Sequence, residues 1–152
     1  MTEPIALSDA TVRHALPMLF AGQAQREAFV NEALARIDAA LHPCVTEERA
    51  SPPATSDDGD AYLVAASPSG DWQDHAHTIA VWQGQHWLFA QPVHGMTLLD
   101  GSTGERLVFD GTWQRQPAPA SPSGGVTIDA QARSAIDAII AALKIKGIFP
   151  AN

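Results

Sequence analysis

The stretch DHAH, residues 74–77, carries the residue types best suited to hold a metal ion. His75 and His77 stand two apart, which on a strand puts both imidazoles on one face, and Asp71 or Asp74 could add an oxygen ligand. No cysteine and no further spaced pair accompanies them, so no metal site is expected. SDDGD, residues 56–60, gathers carboxylates without the spaced alternation and distal glutamate of a calcium loop, and reads as a solvated turn. There is no phosphate-cradling glycine loop, no nucleophile elbow and no H-E-x-x-H. Carboxylates are plentiful but no pair is singled out for glycosidase chemistry. The expectation is a protein that is not an enzyme and carries no cofactor.

A second chemistry lies in the tryptophans. VWQGQHWLF, residues 81–89, sets Trp82 and Trp87 on either side of a glycine, in a chain with four tryptophans. SGDW and FDGTW repeat the theme of a glycine shortly before a tryptophan. Exposed indole faces stack on sugar rings, which makes Trp72, Trp82 and Trp87 candidate glycan contacts. The competing reading is structural, because a small sheet needs large side chains to build a core at all. That reading is preferred for Trp82 and Trp87, and held less firmly for Trp72 in the looser SPSGDWQDH. If Gly84 and Gln85 are the two turn residues, Trp82 and Trp87 oppose each other on one face; if Gln83 and Gly84 are, Ala80 faces Trp87. The sequence leaves both registers open.

These residues need elements to position them. Runs at 61–66, 77–82, 86–90, 96–100 and 105–110 read as short strands bounded by Gly, Pro, Asp or Ser. Sequential strands with short loops imply an antiparallel meander. Asp110-Gly111 suits a tight hairpin turn. A helix is expected over 23–41, where Val30, Ala33, Leu34, Ile37 and Leu41 recur at helical spacing until His42-Pro43 stops the run. Its opening turns carry Gln23 and Arg26 on the same stripe, flanked by Glu27 and Asn31. These four are the candidate contacts to a neighbouring chain. A last helix over 129–146 has Asp129 or Thr127 as cap, lysines in its last turn and Gly147 placed to end it. Ala132, Ile136, Ile139 and Leu143 follow the four-three-four spacing of a helix–helix seam, and Ile140 widens it. Ile136, Ile139, Ile140 and Leu143, with Ile148 and Phe149 of the tail, form the expected docking surface for a partner. The chain divides into an arm (1–21), a helix plus β-domain (22–116), a Pro/Ser/Gly linker (117–125), and a C-terminal helix with tail (126–152). The fold class expected is α+β: an N-terminal helix packed on a small antiparallel β-domain, as meander, small barrel or sandwich, followed by a tethered C-terminal helix.

The totals narrow the partners. Lys plus Arg number 9 against 17 Asp plus Glu, for a net charge of −8 in 152 residues. Phosphates repel such a chain, so nucleic acid and anionic membrane surfaces are disfavoured. No apolar run approaches the roughly 20 residues that span a bilayer, and residues 1–22 do not read as a secretory signal. The one cysteine, Cys44, can form no intrachain disulfide and reads as a small buried hydrophobe.

The segment LPMLFAGQAQREAFVNEALARIDAALHPCV, residues 16–45, resembles the opening of an uncharacterised domain family of alphaproteobacterial prophage and gene-transfer-agent structural proteins. The specific part is Gly22 to Gln25, then Arg26, Glu27, Asn31 to Leu34 and Ile37 to Ala39. GDAYLV, SGDW, IAVWQGQHWLF, Pro92 with Gly95, and FDGTW are similar to the family's β region, and DAQARSAIDAIIAALKIKGI to its C-terminal helix. His77 departs from the small residue expected there. The resemblance implies a non-enzymatic part of a phage-like particle, of head-spike or tail-fibre type. Such a part would be a homo-oligomeric adaptor docked on capsid, tail or fibre proteins, supporting receptor or capsule attachment, with cell-surface polysaccharide a candidate partner. It would assemble in the bacterial cytoplasm and be released by lysis. The alternative is a carbohydrate-binding module built on the tryptophan hairpins.

Overall fold

A computed structural model describes residues 10–22 and 26–150. In chain order the elements are α1 (Arg26–Ala40), β1 (Cys44–Val45), β2 (Glu48–Arg49), β3 (Ala61–Val64), a 3-10 turn (Gly70–Trp72), β4 (Ile79–Gln83), β5 (His86–Ala90), β6 (Thr97–Asp100), β7 (Glu105–Phe109), β8 (Trp113–Gln114) and α2 (Ala130–Ile145). The fold is α+β, with an N-terminal helix, two four-stranded sheets and a C-terminal helix. The sheets have strand orders β1-β6-β7-β8 and β2-β3-β4-β5, and among the described residues they do not close into a barrel.

The five strands expected from alternation all form, within one or two residues at each end. Within each sheet these strands pair antiparallel, β3 with β4, β4 with β5 and β6 with β7, and two short further strands add parallel pairings. β1 pairs parallel with β6, and β2 parallel with β3. Both belong to one extended segment that leaves α1 and passes from one sheet to the other. Pro43 O accepts from Leu99 N and Val45 O from Gly101 N, both in the first sheet; Thr46 N then donates to Ala61 O, while Glu47 O and Arg49 O accept from Leu63 N and Ala65 N in the second. Such a segment is extended because two sheets pull on its backbone, so its side chains need not alternate.

The main core lies between the sheets. Val45, Leu98 and Leu107 from one meet Ala61, Leu63, Ile79, Val81 and Ala90 from the other, with Ala39 of α1 at the edge and Leu88, Met96 and Trp113 packed around them. Trp113 also ties the sheets by donating from its indole Nε1 to His77 O at 2.8 Å. The outer face of the second sheet has its own smaller core of Tyr62, Val64, Trp72 and Ala80, with Trp87 and Phe89 packed against it. Asp74 and His77 take positive φ of 68° and 64°, so residues 74–77 turn, and β4 begins at Ile79. His75 and His77 are therefore not a strand pair: His75 stacks on Phe89 with ring centroids 3.6 Å apart.

Gly101 marks the tightest junction. A Cβ there would lie 2.9 Å from Val45 O, the acceptor of Gly101's own N–H. Gly101→Ala must push β1 off β6 and is expected to cost about 1–3 kcal/mol, the usual range for overpacking. Urea unfolding of the variant should show a lowered midpoint with an unchanged slope.

Candidate functional site

The functional expectations rested on two helices and three tryptophans. The first helix forms, but with another face turned inward. Its buried residues are Ala35, Asp38 and Ala39, while the expected inner stripe looks out, with Ile37 52 % exposed and Val30 and Leu41 about two-fifths, and Phe29 beside it is 78 % exposed. The cause is the arm before it, whose backbone needs partners. Asn31 clamps Leu19 with both amide atoms, its Oδ1 accepting from Leu19 N at 2.8 Å and its Nδ2 donating to Leu19 O at 3.0 Å. Glu27 accepts from Gly22 N. Asp38, 1 % exposed, accepts from the backbone N–H of Arg13 and His14 and pairs with the His14 ring at 3.0 Å. Burial pushes the Asp38 carboxyl up, but the hydrogen bonds from Arg13, Thr11 and His14 outweigh it and hold the group below the usual carboxylate range. Arg13 in turn caps the end of α1, donating to the carbonyls of Asp38, Ala39 and His42, where a cation suits the helix dipole.

Glu27 and Asn31, candidate contacts to a neighbouring chain, hydrogen-bond Gly22 and Leu19 of their own chain. Arg26 is exposed, and Gln23 lies outside the described residues. What α1 presents outward is its apolar stripe.

The second helix forms as expected. Asp129 caps it, accepting from Ala132 N at 2.9 Å. At the other end Gly147 takes φ 69°, Gly147 N donates to Lys144 O and Ile148 N to Leu143 O, a complete Schellman stop. Arg106 fixes that end to β7, its N–H donating to Gly147 O at 2.6 Å and its Nε to Lys146 O. None of the sixteen residues of α2 is buried. Ile136 and Ile139 are 43 % and 59 % exposed, Ile140 and Leu143 half-exposed, and beyond the helix Ile148 is open and Phe149 half-buried.

The tryptophans separate. Gly84 and Gln85 take positive φ of 58° and 67°, a tight turn that sets Trp82 opposite Trp87. Trp82 exchanges its backbone bonds with Asp60 and Gly59, so Trp82–Trp87 is a non-hydrogen-bonded pair with its side chains close. Their rings meet edge to face, 4.9 Å between centroids. Trp87 also packs on Trp72 at 5.1 Å and Tyr62 at 6.0 Å. Trp72, the tryptophan held least firmly as core in the sequence, is wholly buried and has no face for a sugar. Trp82 and Trp87 are half-buried. Cys44 also departs from expectation: it is exposed and lines a cavity beside the end of α1.

An ionic cluster went unseen in the sequence. Asp100 and Glu105 are direct cross-strand partners, both nearly buried, an arrangement that repels itself. Arg115 resolves it, reaching Asp100 at 2.8 Å, Glu48 at 3.0 Å and Glu105 at 3.5 Å. Gln116 N donates to Glu105 at 2.7 Å, so the cluster also fixes where the tether departs. Three strands supply the carboxylates, and nothing in the local sequence brings them together. Burial pushes the Asp100 carboxyl up, but hydrogen bonds from Ser102 and Arg115 outweigh that and hold it below its ordinary value.

The family model described as a protein of unknown function, DUF2793, matches residues 30–114, more than half of the chain. The chain belongs to that family. The match runs from the second turn of α1 to the end of β8 and leaves out the Gly22 to Glu27 motif and α2. No curated protein and no solved structure matches it.

Because the folded-state pKa of Asp100 is depressed, its contribution is present above the unfolded value near 4 and is lost as pH falls through the folded value. Arg115→Gln should cost about 2–3 kcal/mol at pH 7 by leaving buried carboxylates without their cation. Urea midpoints measured from pH 7 to pH 3 should converge for the two proteins at the acid end. A constant gap across that range would show that the cluster does not carry the effect.

Proposed function

We propose that the chain is a non-enzymatic structural component of a phage-like particle, a gene transfer agent or prophage product. In this reading it is an oligomeric adaptor at a spike base or tail, docked on other particle proteins and supporting attachment to a receptor or capsule. The observation that carries the proposal is the pair of outward apolar helix faces, Phe29, Val30 and Ile37 on α1 with Leu41 just beyond its end, and Ile136, Ile139 and Ile145 on α2. Each such side chain gains about 1.5–3 kcal/mol on full burial, which a single copy in water forgoes.

The two faces take different roles. Isoleucine at the two central positions of the four-residue seam, Ile136 and Ile139, favours association of more than two copies of α2. The stripe on α1 is left for the scaffold. Particle proteins work by assembly, which also suits the resemblance of residues 16–45 to prophage and gene-transfer-agent components. Among the described residues no helix is long and apolar enough to cross a membrane. Assembly in the bacterial cytoplasm with release by lysis completes the proposal.

Light scattering on the full chain should give a mass above the 16.1 kDa of one copy, and Ile136→Asp with Ile139→Asp should reduce it to that of a monomer. Ile37→Asp should leave the oligomer intact and abolish co-sedimentation with purified particles. A chain that stays monomeric at tens of micromolar and binds no particle would sink the proposal.

A further inference from the structure

Beside Trp82 lies a cavity of about 260 Å³ walled by the loop over residues 52–56, Asp71, Trp82 and Trp87. We propose that it is a subsite for one neutral pyranose ring. The proposal is independent of the oligomeric reading above.

The aromatic wall is Trp82. Trp87 has three ring neighbours, Tyr62, Trp72 and Trp82, and is built into the outer core. Trp82 has one ring neighbour among the described residues, Trp87, is only part-buried and lines the cavity. The negative face of an indole attracts the polarised C–H bonds of a pyranose face. Ser56 and Thr55 offer hydroxyls that both donate and accept, and the Asp71 carboxylate accepts from a pair of sugar hydroxyls. Pro52 and Pro53 complete the wall with rigid apolar surface.

The site is held before any ligand arrives. Ser69 N donates to Ala50 O at 2.8 Å at one end of the loop. At the other end Gly59 N donates to Trp82 O, Gly84 N to Asp58 Oδ1 at 3.0 Å, and Asp57 N to Asp60 Oδ2. A loop fixed at both ends loses little freedom on binding.

Size and charge define the ligand. The volume suits one ring, below the roughly 300–1,000 Å³ of larger small-molecule sites. No Lys, Arg or His lines it, and Asp57, Asp58 and Asp60 continue the same loop. An acidic sugar is therefore repelled. A quaternary ammonium is drawn to a carboxylate but needs ring faces on several sides, and here the two aromatic rings lining the cavity are packed against each other, Trp87 also on Tyr62 and Trp72.

The full chain should be titrated with the methyl glycosides of glucose, galactose and mannose and with N-acetylglucosamine, followed by tryptophan fluorescence and saturation-transfer NMR. At least one should bind saturably in the millimolar range. Trp82→Ala should abolish that binding with an unchanged circular dichroism spectrum and an unchanged mass in solution. Should Trp82→Ala unfold, Asp71→Asn at an exposed position should weaken binding about tenfold. Glucuronate, galacturonate and tetramethylammonium should not compete. Absence of saturable binding across the panel, equal binding by both variants, or preference for an acidic sugar or tetramethylammonium would each overturn the proposal.

Discussion

The extended segment over residues 43–49 supplies backbone partners to both sheets, and the rest of the structure depends on that division. Its first half completes the β6 edge and its second half the β3 edge. Without it each sheet would be three strands with an open edge facing a core that it cannot close alone. The same segment ties α1 to the sheets, because it begins where Arg13 and the His42-Pro43 stop end the helix. The close approach at Gly101 follows from this geometry. Where two sheets share one short backbone, there is no room for a side chain at the point of exchange.

A second constraint runs through α1. Hydrogen bonds to a fixed backbone are worth more, inside, than exposure of a few apolar side chains costs outside. Asn31 and Asp38 satisfy backbone N–H groups of the arm that would otherwise be covered without partners. Turning those residues inward turns Val30, Ile37 and Leu41 outward. The exposed stripe is thus a consequence of internal polar satisfaction, and it is also the surface on which the proposed adaptor role rests. The second helix reaches the same state differently: Arg106 holds one end, and the tether that starts at the Arg115 cluster leaves the remainder standing free of the core.

The family match stops at β8, so the body and α2 stand on different footings. The family match covers the two-sheet body. The helix beyond the tether, with its isoleucine seam, is where this chain's association would be decided. Trp82 stands between these roles. Its backbone belongs to the ladder of β4, while its ring, half-buried, packs on Trp87 at the edge of the aromatic cluster that buries Trp72.

Short-range patterns were readable from the sequence because local physics alone sets them. Alternation located five strands, the Asp129 cap and Gly147 stop located α2, and the tight turn at Gly84-Gln85 was one of two registers already in view. The spacing of Val30, Leu34, Ile37 and Leu41 gave the helix but misassigned its inner face. Helical period says which residues share a face, and cannot say what will be packed against it. The parallel pairings of residues 44–49, the wholly buried Trp72, and the meeting of Glu48, Asp100, Glu105 and Arg115 were decided only by tertiary structure. Each joins residues far apart in the chain, and no local pattern records an interaction whose partner arrives from another sheet.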